Sequence, residues 1–141
     1  MDRVKLSDCT LNLNNLKNII CIGTFGSYNE DCFDKNRSDI DIMILPIKEL
    51  EWEDELEIED YLMPILQSHF QHDNIHLTFI NGFVYPFGEL LINNNDKIII
   101  LEEKYLDYVL GYSTFKRDRE YLKIISEENL KYLKEYRNGL L

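Results

Sequence analysis

The chain is poor in cations, with 15 Lys and Arg against 26 Asp and Glu among 141 residues and a formal net charge of -11. Phosphate-backbone binding draws its energy from clustered basic side chains that displace counterions, so this balance argues against a general DNA or RNA partner. Cysteine is scarce and odd in number: Cys9, Cys21 and Cys32 lack metal-ligand spacing and give no disulfide framework, which fits a reducing compartment. No apolar run approaches the ~20 residues of a membrane span, and no signal-like segment follows Met1. The reading is a cytoplasmic protein with no membrane partner. Three prolines and six glycines leave little room for linkers or low-complexity segments.

What is present is core-forming material, since 45% of the residues are hydrophobic and Ile, Leu, Tyr and Phe dominate them. At this length that supports one domain over residues 1–141, with a helical segment from about residue 103 onward. "LNNLKNI" has helix-like apolar spacing, and "IICIGTF" is a short apolar run ended by Gly26. "SDIDIMIL", stopped by Pro46, is a second strand. From Glu49 to Phe70, Ile58, Leu62, Ile65, Leu66 and Phe70 form one stripe of an amphipathic helix, with a kink expected at Pro64. The acidic run "ELEWEDELEIED" reads as its solvated face.

"NIHLTFI" reads as a strand, "VYPFGELLI" as a short helix, and "KIIIL" as a strand after the "NNND" turn signal. The remainder is helical, with a break expected near Gly111 to Thr114 and a tail stripe of Leu122, Ile125, Tyr132, Leu133, Tyr136 and Leu140. Gly139 suits a helix stop. The order α-β-β-α-β-α-β-α predicts an α/β or α+β fold, a small mixed sheet covered by helices.

The chemistry concentrates in "ICIGTFGSYNEDCFDKNRSDIDIMIL". A strand alternates its side chains, so Asp39 and Asp41 share one face while Ile40, Ile42 and Ile44 take the other. Ionised carboxylates at the mouth of an apolar strand call for water or a cation. Paired carboxylate oxygens suit Mg²⁺, whose remaining ligands are commonly substrate phosphates. Gly26 and Ser27 end the preceding strand, where a glycine permits close backbone approach and a hydroxyl can meet phosphate oxygens.

This ordered set resembles the signature of the DNA polymerase beta-type nucleotidyltransferases, in which a Gly-Ser pair precedes an Asp-x-Asp across two strands. The short chain and the run "NIHLTFINGFVYPFGELLINNNDKIIILEE" are similar to the minimal nucleotidyltransferases, the MNT proteins encoded beside HEPN toxins. The resemblance spans about Leu16 to Glu103. It implies the polymerase beta-like fold and an antitoxin that moves AMP from ATP to a tyrosine of a HEPN ribonuclease, with a hetero-oligomer of the two as a further expectation. By the same resemblance, Gly26 and Ser27 hold the triphosphate and Asp39 and Asp41 bind Mg²⁺.

The family's usual third carboxylate is replaced in register by His76, a poorer ligand for Mg²⁺ and a better one for Mn²⁺. Asp73 and Glu89 are its possible substitutes. A module that has lost chemistry and neutralises a partner by binding is the alternative. Arg37, and after it Lys35, is the expected cation for the phosphates, and "FKRDREYLK" is the one concentrated basic stretch. His69 and His72 beside Asp73 could imitate a metal site but are read as ordinary polar residues. Cys21 is read as core, and Tyr105, Tyr108 and Tyr112 as one packed helix face.

Overall fold

A computed structural model describes residues 3–30, 32–84, 86–137 and 139. Four strands and three helices follow one another as β1 (Ile19–Phe25), β2 (Ile40–Pro46), α1 (Trp52–Phe70), β3 (Ile75–Phe79), α2 (Phe87–Asn93), β4 (Lys97–Ile99) and α3 (Glu102–Arg137). The sheet order is β3-β2-β1-β4, with β1 antiparallel to both β2 and β4 and with β2 and β3 parallel. A parallel pair needs a crossover, which α1 supplies. The fold is α+β, as expected.

Alternation along β2 divides the core. Ile40, Ile42 and Ile44 pack with Leu62, Leu66 and Phe70 of α1, whereas Met43 and Leu45 pack with Leu91 of α2 and Tyr105 and Tyr108 of α3. The register of β1 against β2 slips between Ile19 and Cys21, so that Ile20 and Cys21 both join the second cluster while Ile19 and Ile22 join the first. Such a bulge lets one strand serve two unequal layers. The tyrosine face of α3 and Cys21 are therefore core, and burial pushes the Cys21 thiol up to about 12.

Several local expectations are corrected. "LNNLKNI" makes only a 3₁₀ turn over Leu13–Asn15, because the Asn12 side chain accepts from the Asn14 amide and the chain turns directly into β1. α1 begins at Trp52 and runs through Pro64 as one element. The "KIIIL" strand is limited to Lys97–Ile99. The Lys97 ammonium donates to the carbonyls of Leu91 and Ile92 and so closes the end of α2.

The largest correction is α3, which continues through Gly111 to Thr114. A Cβ at Gly111 would lie 2.5 Å from Phe83 Cζ, so this glycine is a notch that seats a ring and not a helix break. Ser113 and Thr114 donate back to the carbonyls of Val109 and Leu110, which keeps both hydroxyls inside the helical pattern. The tail stripe is not core either: Leu122, Tyr132 and Leu133 are exposed. Leu140 lies outside the described residues. α3 ends at Arg137, and Gly139 takes φ 73°, as suits a helix stop.

Candidate active site

The wet end of the β1–β2 pair collects the residues singled out by the sequence. Phe25, the last residue of β1, stands opposite Asp41, and Asp41 stands opposite His76 on β3. Gly26 follows at φ 69°, a conformation that costs a residue with a Cβ ~1–2 kcal/mol. The same turn brings its backbone over the carboxylate: a Cβ on Gly26 would sit 3.1 Å from Asp41 Oδ2. Glycine is required twice, by the dihedral and by the contact.

Ser27 lies in the 3₁₀ turn Gly26–Asn29 that carries the loop away from β1. Asn29 closes this turn, its amide nitrogen donating to Thr24 O and its carbonyl oxygen accepting from the Thr24 hydroxyl, both at 2.9 Å. Arg3 donates to the carbonyls of Ser27 and Tyr28 and lies over the Tyr28 and Phe33 rings. A cation thus reaches the Gly-Ser turn from 24 residues upstream. No local sequence signal marks it.

Asp39 is exposed just before β2. The polar insertion that delivers it is tightly turned: Asp34 N donates to the Ser38 hydroxyl, and Ser38 N donates to Asp34 O at 2.7 Å. His72, only 9% exposed, donates from Nε2 to Ser38 O at 2.9 Å. Ile40 N donates to Asn74 O, so the residues on both sides of Asp39 are pinned to the α1–β3 connection.

Asp41 is 28% exposed and lies beside His76, whose Nδ1 is 3.4 Å from Asp41 Oδ1 while its side chain is 66% exposed. His76 stands opposite Asp41 across the parallel pair of β2 and β3. Among the described residues, no group of three His, Cys, Asp or Glu side chains gathers closely enough to cage a metal by itself. Two carboxylates two residues apart, Asp39 exposed before β2 and Asp41 within it, are of the oxygen-donor type that suits Mg²⁺, which is commonly completed by phosphate oxygens and water.

The other candidates separate. Arg37 projects into solvent, its Nε 4.0 Å from Asp34 Oδ2. Lys35 lines a different cavity with Arg3, Tyr28, Phe33 and His72. His69 bonds Lys5 O, so the two histidines brace backbone segments and form no pair. Asp73 uses its carbonyl to hold Gln67. Glu89 lies in the wall of an open cavity of about 440 Å³ that also takes in Phe25, Gly26, Asn93 and Asn95. Its carboxylate accepts from Lys116 at 2.7 Å, a bond that raises the Lys116 pKa.

No curated protein matches the sequence. A chain of a solved toxin-antitoxin structure, a mutant of MntA-HpeT, is similar at 18% identity and a TM-score of 0.46, covering 85% of this chain and 99% of that one. No helix of the described residues is long and apolar enough to cross a membrane. Residues 8–104 match the family described as polymerase beta, nucleotidyltransferase, a span that contains the Gly-Ser turn, both aspartates and all four strands. The chain belongs to the polymerase beta nucleotidyltransferase family.

Proposed function

We propose that the protein is an adenylyltransferase antitoxin that moves AMP from ATP to a tyrosine of a HEPN-family ribonuclease and so silences it. The observation that carries the reading is the placement of Gly26 against Asp41 Oδ2 at the mouth of β1 and β2, with Asp39 exposed just before β2. That juxtaposition provides a close backbone approach and a hydroxyl for a triphosphate beside two carboxylates for its cation. The toxin as acceptor rests on the likeness of the motifs and chain length to the minimal nucleotidyltransferases.

In the proposed reaction the tyrosine oxygen bonds to the α-phosphorus of ATP, the bond from that phosphorus to the bridging oxygen breaks, and pyrophosphate leaves. The phenolic proton passes to solvent or to a neighbouring base. Asp39 and Asp41 would hold Mg²⁺, which neutralises charge on the transferred group and the leaving pyrophosphate. Gly26 and Ser27 position the triphosphate. His76, beside Asp41, would take the place of a third oxygen ligand, which favours Mn²⁺ over Mg²⁺ at that position.

Intact mass of the HEPN toxin after incubation with the protein, ATP and each metal tests this directly. Whole adenylyl units are expected, more with Mn²⁺ than with Mg²⁺, and none from Asp39→Asn with Asp41→Asn. His76→Asp is expected to raise the Mg²⁺ rate. The presence of His76 in register also favours a second reading, a binding module of impaired chemistry. Toxin that is bound but unmodified by the wild type, and modified by His76→Asp, would select that second reading.

A further inference from the structure

The cavity that Lys35 lines lies apart from Asp41. Its floor is made by Tyr28, Ile40, Phe70 and His72, all buried, and its rim by Arg3, Val4, Phe33 and Lys35. Tyr28, Ile40 and Phe70 belong to the core cluster around α1, whereas Asp41 alternates with Ile40 and takes the opposite face of β2. The volume is about 330 Å³, in the range of small-molecule sites. Ring contacts hold the walls: Phe33 and Phe70 each stand edge to face against Tyr28, with centroids 5.0 and 5.4 Å away, and the Phe33 ring lies 5.9 Å from that of His72. Such contacts are favourable without an occupant, so the cup is formed in advance.

Charge and hydrogen bonding indicate what fits. On a chain of net charge -11, the described residues that line this cavity include two cations and no acid. Neither Arg3 nor Lys35 forms an ion pair among the described residues. Arg3 gives Nη1 to the carbonyls of Ser27 and Tyr28 and covers the Tyr28 and Phe33 rings, which leaves guanidinium donors to spare. A cleft whose charges are of one sign concentrates the opposite one. On the floor, the Tyr28 hydroxyl donates to Val4 O and His72 Nε2 donates to Ser38 O, so that His72 Nδ1 is left without a partner among the described residues. In the neutral ring that nitrogen accepts a hydrogen bond.

We propose that this cavity is a binding site for a small aromatic acid. Its flat ring lies among Tyr28, Phe33 and Phe70, a ring N–H or O–H donates to His72 Nδ1, and one carboxylate or phosphate is held by Arg3 and Lys35. A nucleoside triphosphate does not match the site, because its charge exceeds what two cations offset and the floor has one free polar side-chain atom for a base edge. The assignment does not depend on the transferase reading.

Calorimetry on the full chain, without metal or nucleotide, tests it with indole-3-acetate, indoxyl phosphate, neutral indole-3-acetamide and 1-methylindole-3-acetate. At least one of the two unmethylated anions is expected to bind, and the tighter of them identifies the anionic group. The better anion should exceed the amide by about tenfold, as a charge-assisted bond gives. Methylation of the ring nitrogen should cost about fivefold, the loss of one neutral hydrogen bond. Arg3→Gln with Lys35→Gln should bring the anion down to the level of the amide. Lys35→Gln alone, at an exposed side chain, should lose part of that advantage and keeps the test standing where the double variant does not fold. Asp39→Asn with Asp41→Asn should bind the anion at least as well as the wild type. The proposal is overturned if neither anion binds at millimolar concentration, if anion and amide bind equally, or if N-methylation or Lys35→Gln has no effect. Loss of the anion in the Asp39 and Asp41 variant overturns it as well, by placing the ligand at the aspartates.

Discussion

The two ends of the β1–β2 pair obey opposite rules. At one end Ile19, Cys21, Ile22, Ile44 and Leu45 are sealed between helices, and exchange of any of them is an exchange of volume. At the other, Phe25, Gly26, Asp39 and Asp41 leave the ladder half open, and their identities are set by charge and backbone geometry. Some 10–20 Å of strand separate the two regimes, by ~3.3 Å per residue. The difference teaches that here the sheet's stability and its chemistry are held by different residues of the same strands, so each can be perturbed alone.

The widest separation is expected from Asp39→Asn with Asp41→Asn. Adenylyl transfer should fall by about 10³-fold or more, the loss of several kcal/mol of charge stabilisation. The thermal midpoint should hold or rise, because two neighbouring carboxylates no longer repel. A large loss of fold in that variant would break the comparison. The reverse experiment is Ile44→Ala, expected to cost ~2–5 kcal/mol in chemical denaturation while leaving the affinity for ATP with metal unchanged once folded.

Gly26→Ala sits on the boundary. Its stability cost is expected at only ~1–2 kcal/mol, from the left-handed dihedral, yet the added methyl presses on Asp41 and should depress turnover at least about tenfold. Equal small effects on both would blur the two ends into one.

The smallest effect is alkaline. Burial raises the Cys21 thiol and the Tyr108 phenol to about 12 each, from ordinary values of 9.0 and 10.0. Both groups stay protonated in the native state where the unfolded chain has lost those protons, so their stabilising contribution is complete below pH 9 and is lost as pH rises toward 12. Denaturation midpoints should decline across that window, and Cys21→Ala should remove the lower-pH part of the decline. Exposed Cys32 should react with a thiol reagent in the native protein and Cys21 should not.

What was legible in the sequence was whatever depends on near neighbours. The apolar runs of β1 and β2, the stripe of α1 and the tyrosine face of α3 each carry their period within a few turns or pleats. The strand that carries Asp41 needed only its apolar run to be found, and His76 stands across from Asp41 in the parallel pair of β2 with β3. What was hidden depends on distant partners. Gly111 looked like a helix break because Phe83, the ring it seats, lies 28 residues earlier. The His72 ring holds Ser38 across 34 residues, and Arg3 reaches the Gly-Ser turn across 24. The stripe at Leu122 was visible as a stripe, but periodicity does not say whether a face is covered by its own chain.

The side chain of Asp96 accepts from the amides of Leu6 and Ser7 at 2.9 Å, while its backbone carbonyl accepts from Thr24 N. One residue before β4 thereby closes a loop of about ninety residues onto the 3₁₀ turn Leu6–Asp8. In kinetic terms this is a late event: the ends of a long loop meet only after the intervening strands have paired, since closure entropy is met before the contact returns anything. The 3₁₀ turn at Leu6 is then expected to open before the β1–β2 ladder does and to close after it. Its amides should exchange hydrogen through local opening at a free energy well below that of β2, and Asp96→Ala should quicken that exchange without changing exchange in the Ile42–Ile44 ladder.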